Sequence, residues 1–421
     1  MQLTIDSKQL PVGWKIKKLV EVTDLITCGV AKRPDYVDDG IPFLSARNVK
    51  NGHVIWDNYK YISEETHAEL TKNNKPRKGD ILYTRVGSFG EAAIIDDDFE
   101  FSIFVSLTLI KTKTEILNSF LKYYLNSYSV KILAKNSISG SGVGNLNVGT
   151  VRNFFVPLPP LPEQKRIVAI LDEAFEGIDR AIANTEKNLA NAREIFESYL
   201  NAIFTQKDNG WEWVSLSEIT TDITDGDHQP PPKSELGIPF ITISNINKHN
   251  RQVDFSNTFK VSHEYFEKLK INRKPRKGDL LYTVTGSYGI PVIVDHDIDF
   301  CFQRHIGLIR PNSETNSKCL YYILLSRYLL NQADKCATGA AQKTVSLSGL
   351  RRFSVPKIPK QKQEIIVAQL DNLSEQIARL ETIYSKKLVA LKELKQSIMQ
   401  KAFTGELTAD TPKTVKEEMA A

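Results

Sequence analysis

The chain has 421 residues, 41% of them apolar and 25% charged, and 55 Lys and Arg against 50 Asp and Glu give a formal net charge of +5. That length exceeds one typical domain, and so balanced a composition excludes a wholly disordered chain. A charge of +5 permits a nucleic-acid partner without requiring one, because only clustered charge makes a local field. The opening stretch, MQLTIDSKQLPVGW, carries Asp6 and no apolar signal-peptide core, and no run approaches a bilayer span. A cytoplasmic protein without membrane association is expected. Cys28, Cys301, Cys319 and Cys336 show neither a C-x-x-C pair nor zinc-ligand spacing, and read as reduced, buried thiols.

Residues 14–157 alternate short β-rich runs (41–44, 81–84, 93–95 and 104–110) with Gly, Asp and Asn turns. One helix-like stretch runs from Leu117 to Lys135, so the segment reads as an α+β globule. VPLPPLPEQ follows; its prolines cannot extend a strand interior, and Pro162 suits the first turn of a helix. From Glu163 to Phe204 apolar residues then step by three and four through Ile167, Leu171, Ala174, Ile178, Ile182, Leu189, Ala192, Phe196, Tyr199 and Ile203. Such a helix spans about 60 Å, too long for its own globule to cover.

The chain then repeats itself. KPRKGDILYTRVGSFGEAAII at Lys75 returns as KPRKGDLLYTVTGSYGIPVIV at Lys274, an offset of 274 less 75, or 199. The same offset links Trp14 to Trp213, Leu171 to Leu370 and Phe204 to Phe403. The second long helix carries Ile366, Leu370, Leu373, Ile377, Leu380, Tyr384, Leu388, Leu391 and Ile398. The simplest partner for each apolar seam is the other copy. Expected are two similar α/β globules at 1–157 and 207–356, joined by two helices at 158–206 and 357–407. The helices form an antiparallel coiled coil with pseudo-two-fold symmetry, and a flexible tail covers 408–421. The seam is assigned to Ile167, Leu171, Ile178, Leu189, Phe196, Ile203, Ile366, Leu370, Ile377, Tyr384, Leu391 and Ile398.

Catalytic signatures are missing. There is no G-x-x-x-x-G-K-[ST] and no Asn-Pro-Pro-aromatic tetrad, and SGSGVGN at Ser139 lacks the G-x-G-x-x-G spacing of a dinucleotide loop. Asp225-Gly226-Asp227-His228 could ligate a metal, yet its counterpart Cys28-Gly29-Val30-Ala31 has neither carboxylate nor His. A turn or a nucleic-acid-contacting loop is the better reading, and neither a metal nor a catalytic residue is assigned.

Over nearly its whole length the chain resembles the specificity subunits of type I restriction–modification enzymes. The matching features are W-x-x-x-x-L at Trp14 with a second Trp entry at Trp213, GIPF-[LI] before Ser-Ala-Arg-Asn-Val or Ile-Ser-Asn-Ile, and KGD-[IL]-LYT-x-x-GS-[FY]-G. DGDHQPPP at Asp225 and the V-P-x-x-P entrance to each long helix complete the set. VPKIPKQKQE departs from it, with Lys360 and Gln361 in place of Leu161 and Pro162, a change that bears on where the second helix starts by a few residues and not on its existence. The resemblance implies two target-recognition domains on a helical spacer, each reading half of a bipartite, asymmetric double-stranded DNA site. It implies no catalysis in this chain. Two modification subunits would bring S-adenosylmethionine and methylate adenine, and restriction subunits would bring ATP-driven translocation and Mg²⁺-dependent cleavage. The alternatives are a self-contained methyltransferase or nuclease with unrecognised motifs, and a coiled-coil scaffold that does not bind DNA.

The densest basic clusters, with Lys75, Arg77 and Lys78 in one module and Lys274, Arg276 and Lys277 in the other, suit phosphates or are simply solvated faces. Arg47, Asn48, Lys50, Ser244, Asn245 and Asn247 follow a strand and suit base edges, or form turns. Arg85, Ser88, Thr285 and Ser287 lie on the GS-[FY]-G turn, while Phe89 and Tyr288 there read as packing residues. Gln303 and Arg304, with His305, interrupt a strand-like run, and His228 closes the DGDH loop. Gln164 and Gln363, near the helix heads, are candidates for docking modification subunits.

Overall fold

The computed structural model describes residues 10–138, 144–205, 210–340 and 342–409. The tail beyond position 409 and residues 139–143 of the SGSGVGN loop lie outside the described residues. In the first module the elements are β1 (Lys15–Lys18), β2 (Thr23–Cys28), β3 (Ile41–Leu44), β4 (Val49–Lys50), β5 (His53–Val54), β6 (Lys60–Ile62), α1 (Glu64–Leu70) and β7 (Ile81–Thr84). There follow β8 (Ala92–Ile94), β9 (Ser102–Ile103), β10 (Leu107–Thr112), α2 (Asn118–Leu125), α3 (Tyr128–Asn136), α4 (Val148–Arg152), β11 (Phe155–Leu158) and the long α5 (Leu161–Thr205). The second module repeats them as β12 (Glu212–Ser215), β13 (Thr220–Asp225), β14 (Ile238–Ile241), β15 (Phe259–Val261), α6 (His263–Lys268), β16 (Leu280–Thr283) and β17 (Pro291–Ile293). It closes with β18 (Cys301–Phe302), β19 (Ile306–Pro311), α7 (Ser317–Leu325), α8 (Arg327–Cys336), α9 (Leu347–Arg351), β20 (Ser354–Lys357) and the long α10 (Lys360–Thr404).

Each globule is built on an antiparallel four-stranded sheet, β2-β10-β7-β8 in one and β13-β19-β16-β17 in the other. A three-stranded sheet accompanies it, β6-β3-β9 or β15-β14-β18, with β3–β9 and β14–β18 parallel. Strand alternation sorts the core. Ile81 and Tyr83 of β7 face α2–α4, while Leu82 packs with Leu44, Phe101 and Leu107 on the opposite face. Leu280, Tyr282 and Leu281 divide in the same way. Cys301 and Cys319 are buried free thiols, which burial pushes up to about 12.

The single helix expected over 117–135 is two, α2 and α3. The chain turns at Asn126, whose side-chain amide binds Ala92 N–H and C=O at 3.0 and 2.8 Å and so is held against the strand. The second long helix opens at Lys360 and the first at Leu161, again 199 apart, so replacing Leu161-Pro162 by Lys360-Gln361 does not move the helix start.

The described residues fall into two units, one drawn from Met1–Thr185 with Lys386–Ala421, the other from Glu186–Ser385. Each contains a globule, the head of the helix that leaves it and the far end of the other long helix. In the first unit Asp179 pairs with Lys395 at 2.7 Å and Arg166 donates to the Thr408 carbonyl at 3.2 Å. In the second, Arg193 meets Glu381 at 2.6 Å. Numbers fall on one helix as they rise on the other, so the pairing is antiparallel. Of the seam positions, Ile167, Leu171, Ile178, Ile366 and Leu370 are buried, and Leu189, Phe196, Ile203, Ile377, Tyr384, Leu391 and Ile398 half-buried. Tyr199 and Leu380 fit the three-four stepping yet are exposed, because the seam passes to Leu200 and to neighbouring turns.

Candidate nucleic-acid interface

The repeated KPRKGD motif forms a turn whose Asp does the holding. Asp80 accepts the Arg77 N–H, and Asp279 the Arg276 N–H, each at 2.8 Å. A cation from the neighbouring strand completes each turn. Lys111 bonds Asp80, while Arg310 grips Asp279 with two parallel bonds of 2.9 and 2.7 Å. The lysines also meet acids: Lys75 binds Glu100, Lys78 lies 3.3 Å from Asp98, Lys274 2.8 Å from Glu267 and Lys277 3.9 Å from Asp297. Lys75 in turn holds the Glu100 carboxyl below its usual range. The clusters are thus partly neutralised, with Arg77 and Arg276 exposed beside them.

The GS-[FY]-G turn leaves the other end of the same strand. Four residues of strand span about 13 Å, so the two candidate sets sit at opposite ends of β7 and β16. Gly87 and Gly90, like Gly286 and Gly289, have φ between 70° and 88°, which lets the chain reverse there.

Around that turn several loops converge. In the first unit Arg85 N–H donates to Ser106 C=O, Ala46 N–H to the Ser106 hydroxyl, and Val105 N–H to Val30 C=O. In the second, Val284 N–H bonds His305 C=O, Gln303 N–H bonds Ile241 C=O, Arg304 N–H bonds Asp227 C=O and Gly286 N–H bonds Lys343 C=O. The loop end therefore collects exposed Arg47 and Ser88 in one globule. In the other it collects exposed His228, Ser244, Asn247, Ser287 and Arg304, with Gln303 half-buried. Lys50 is exposed at the end of β4.

Four expected DNA contacts are buried and bonded within their own globule. Asn48 and Asn245 are 2% and 6% exposed. Asn48 accepts from Ser45 N–H and donates to the Ile55 and Asp57 carbonyls; Asn245 accepts from Thr242 and donates to Asp254 and Asn257. Arg85, 6% exposed, spends its guanidinium on the Leu146 and Val105 carbonyls, and Thr285 is buried with its hydroxyl against Thr344. Buried polar groups bond where they are buried, so these side chains hold the loop end in shape. Gln164 and Gln363 also change role. They are 0% and 4% exposed and offer nothing to a docking partner.

Two exposed lysines were missed. Lys248 donates to the Ser287 hydroxyl at 2.7 Å, from a connection two residues longer than its counterpart: Val49 matches Ile246, 197 on, but Val54 matches Val253, 199 on. Lys343 lies beside the bridge between Thr285 and Thr344, in the place that Gly144 takes next to the Val86–Asn145 bridge. Aligning the repeats through their loops would have revealed both.

The DGDH loop spends its first carboxylate internally. Asp225 lies 2.8 Å from His228 Nε2 and 3.2 Å from Arg273. Gly226 is required because a Cβ would lie 1.8 Å from the Phe302 carbonyl oxygen; Gly29 meets Ile103 in the same way at 1.9 Å. Burial, reinforced by Arg304, lowers the His305 pKa below its ordinary value. Among the described residues no group of His, Cys, Asp or Glu is placed to hold a metal ion, and no helix is long and apolar enough to cross a membrane.

The family model for the type I restriction modification DNA specificity domain matches residues 11–190 and again 209–387. The type I restriction enzyme EcoKI specificity subunit of Escherichia coli (strain K12) is 22% identical over 427 residues, 95% of this chain and 90% of that protein. A putative MjaX specificity subunit from Methanocaldococcus jannaschii is 23% identical, covering 96% of each. Among solved structures, a chain from work on complex assembly and conformational transition of the type I R-M system superposes with TM-score 0.74 at 21% identity. It covers 94% of this chain and 99% of its own. The HsdS subunit from Thermoanaerobacter tengcongensis gives 0.57 at 22% identity, covering 94% and 98%. Both share the fold.

Proposed function

The chain belongs to the type I restriction–modification DNA specificity family, and we propose that it is the non-catalytic sequence-recognition subunit of such an enzyme. Each globule reads one half of a bipartite, asymmetric DNA site through its loop end, and the paired helices set the gap. Two modification subunits dock on the helices and carry S-adenosylmethionine; restriction subunits carry ATP and Mg²⁺; the complex works in the cytoplasm. The observation that carries this reading is the duplicated specificity domain, each copy ending its central strand in the same convergence of exposed polar loops. A single-chain methyltransferase or nuclease, and a scaffold that ignores DNA, are the readings that family membership disfavours.

Different exposed residues at equivalent places, such as Arg47 and Ser244, and Lys248 beside Ser287 on the longer connection of the second globule, suit half-sites of different sequence. A bidentate base contact discriminates by about 1–3 kcal/mol, so several contacts are needed per half-site. The test is methylation by this chain assembled with its modification subunits, mapped across a genome. One split asymmetric motif is expected. Methylation without sequence preference would end the proposal. Within that complex, Lys248→Glu, Lys343→Glu or Arg304→Glu should each lower the salt slope of binding by about one. Lys75→Glu and Lys78→Glu, already facing acids, should change it less. The reverse order would move the DNA to the KPRKGD end.

A further inference from the structure

The side chains that fix each globule to its long helix are a set of bonds written twice. Gln164 accepts from Leu117 N–H at 2.8 Å and donates to the Glu115 and Pro159 carbonyls, each at 2.9 Å. Gln363 accepts from Asn316 N–H at 2.6 Å and donates to Glu314 at 2.9 Å and Ile358 at 2.7 Å. All four residues of one set map onto the other at an offset of 199. One amide thus ties three pieces together: the head of the long helix, the strand exit that precedes it, and the turn between β10 and α2 or between β19 and α7. Eight residues along the helix, about 12 Å, a second tie repeats at the same offset. Tyr123 donates to Asp172 at 2.5 Å, and Tyr322 to Asp371 at 2.6 Å. A single attachment is a hinge; two attachments, with Ile167 and Leu171 or Ile366 and Leu370 buried between them, fix both tilt and rotation.

We infer that Gln164 and Gln363 are positioning residues that set how strictly the protein enforces the gap between its two half-sites. The inference rests on the recognition function proposed above. It concerns the angle between globule and helix and leaves base contacts untouched. A globule of about 150 residues has a radius of gyration of about 15 Å, so its loop end lies on the order of 30 Å from the joint. A tilt of about 6–7° at the joint then moves the loop end by about 3.4 Å, one base-pair rise. Loosening the clamp by that small angle would let a globule meet a half-site one base pair out of place.

The test uses the whole chain assembled with its modification subunits, on DNA carrying the two half-sites the wild type reads. The gap is varied by one and two base pairs in each direction. Gln363→Met and Gln164→Met keep side-chain length and remove the amide. Expected is a rise of about tenfold in methylation at gaps one base pair off, relative to the native gap, with unchanged half-site preference. Tyr322→Phe and Tyr123→Phe, which drop only the second tie, should shift the ratio in the same direction by less. They carry the test should the Gln variants fail to assemble. A uniform fall in methylation at every gap, with the ratio unmoved in both sets, would make the clamp purely structural and overturn the inference. Altered half-site sequences with gap selectivity intact would overturn it too. If the wild-type complex itself ignored sequence, the recognition function would fall and this inference with it; gap selectivity unmoved in the variants of a sequence-specific complex refutes the inference alone.

Discussion

Asp80 and Asp279 occupy the same place in the repeated motif, yet their removal should not cost the same. Asp279 is 3% exposed and takes three hydrogen bonds: two from the Arg310 guanidinium, at 2.9 and 2.7 Å, and one from Arg276 N–H at 2.8 Å. Asp279→Asn keeps one acceptor and turns an amide donor toward a guanidinium that can only donate. Losing one charge-assisted bond and leaving the half-buried Arg310 with the Lys274 carbonyl at 2.9 Å and Asp222 at 3.7 Å as its remaining partners amounts to about 3 kcal/mol. Asp80 faces Lys111, whose side chain is 24% exposed and whose ammonium can rotate into water. Asp80→Asn should cost about 1 kcal/mol. Because two units need not unfold together, the measurement is native-state hydrogen exchange in the intact chain, followed at β16 and β7. Amides of β16 should exchange about 100-fold faster in Asp279→Asn, and those of β7 about fivefold faster in Asp80→Asn. Equal effects, or a larger one at β7, would refute the argument that bidentate geometry and burial set the difference.

Gly226→Ala and Gly29→Ala put a Cβ within 2 Å of a backbone oxygen, so each should cost more than about 3 kcal/mol. Gly177→Ala, mid-helix with nothing within 4 Å of its would-be Cβ, should instead stabilise by about 0.5–1 kcal/mol; thermal unfolding checks all three. His305, its pKa lowered from 6.5 by burial and by Arg304, binds its proton less readily folded than unfolded. Its contribution to stability is therefore fully present above pH 6.5 and is lost as pH falls below that value toward the folded pKa. His305→Gln should flatten that stretch of the stability–pH curve for the second unit. An unaltered curve would show that another group titrates there.

The repeat, the long helices and the absence of recognised catalytic motifs were legible in the sequence, because each is a pattern along the chain. A 199-residue offset needs no contact to be seen. Apolar residues three and four apart mark a buried helical stripe whatever covers it. The seam was readable for the same reason at Ile167, Leu171, Ile366 and Leu370, where the globule adds to the burial, whereas Tyr199 and Leu380 share the three-four stepping and are exposed.

Polar side chains are another matter. Asn48, Asn245, Arg85, Gln164 and Gln363 look like recognition chemistry in a string of letters, because an amide or guanidinium binds a base edge or a backbone carbonyl equally well. Which partner it meets depends on groups far away in sequence: Leu146 lies 61 residues from Arg85, and Leu117 47 from Gln164. The sequence by itself therefore determined that two equivalent modules stand on two long helices. Only the tertiary structure decided which polar groups hold the modules in shape and which are left facing solvent, since burial and hydrogen-bond partners exist only once distant segments meet.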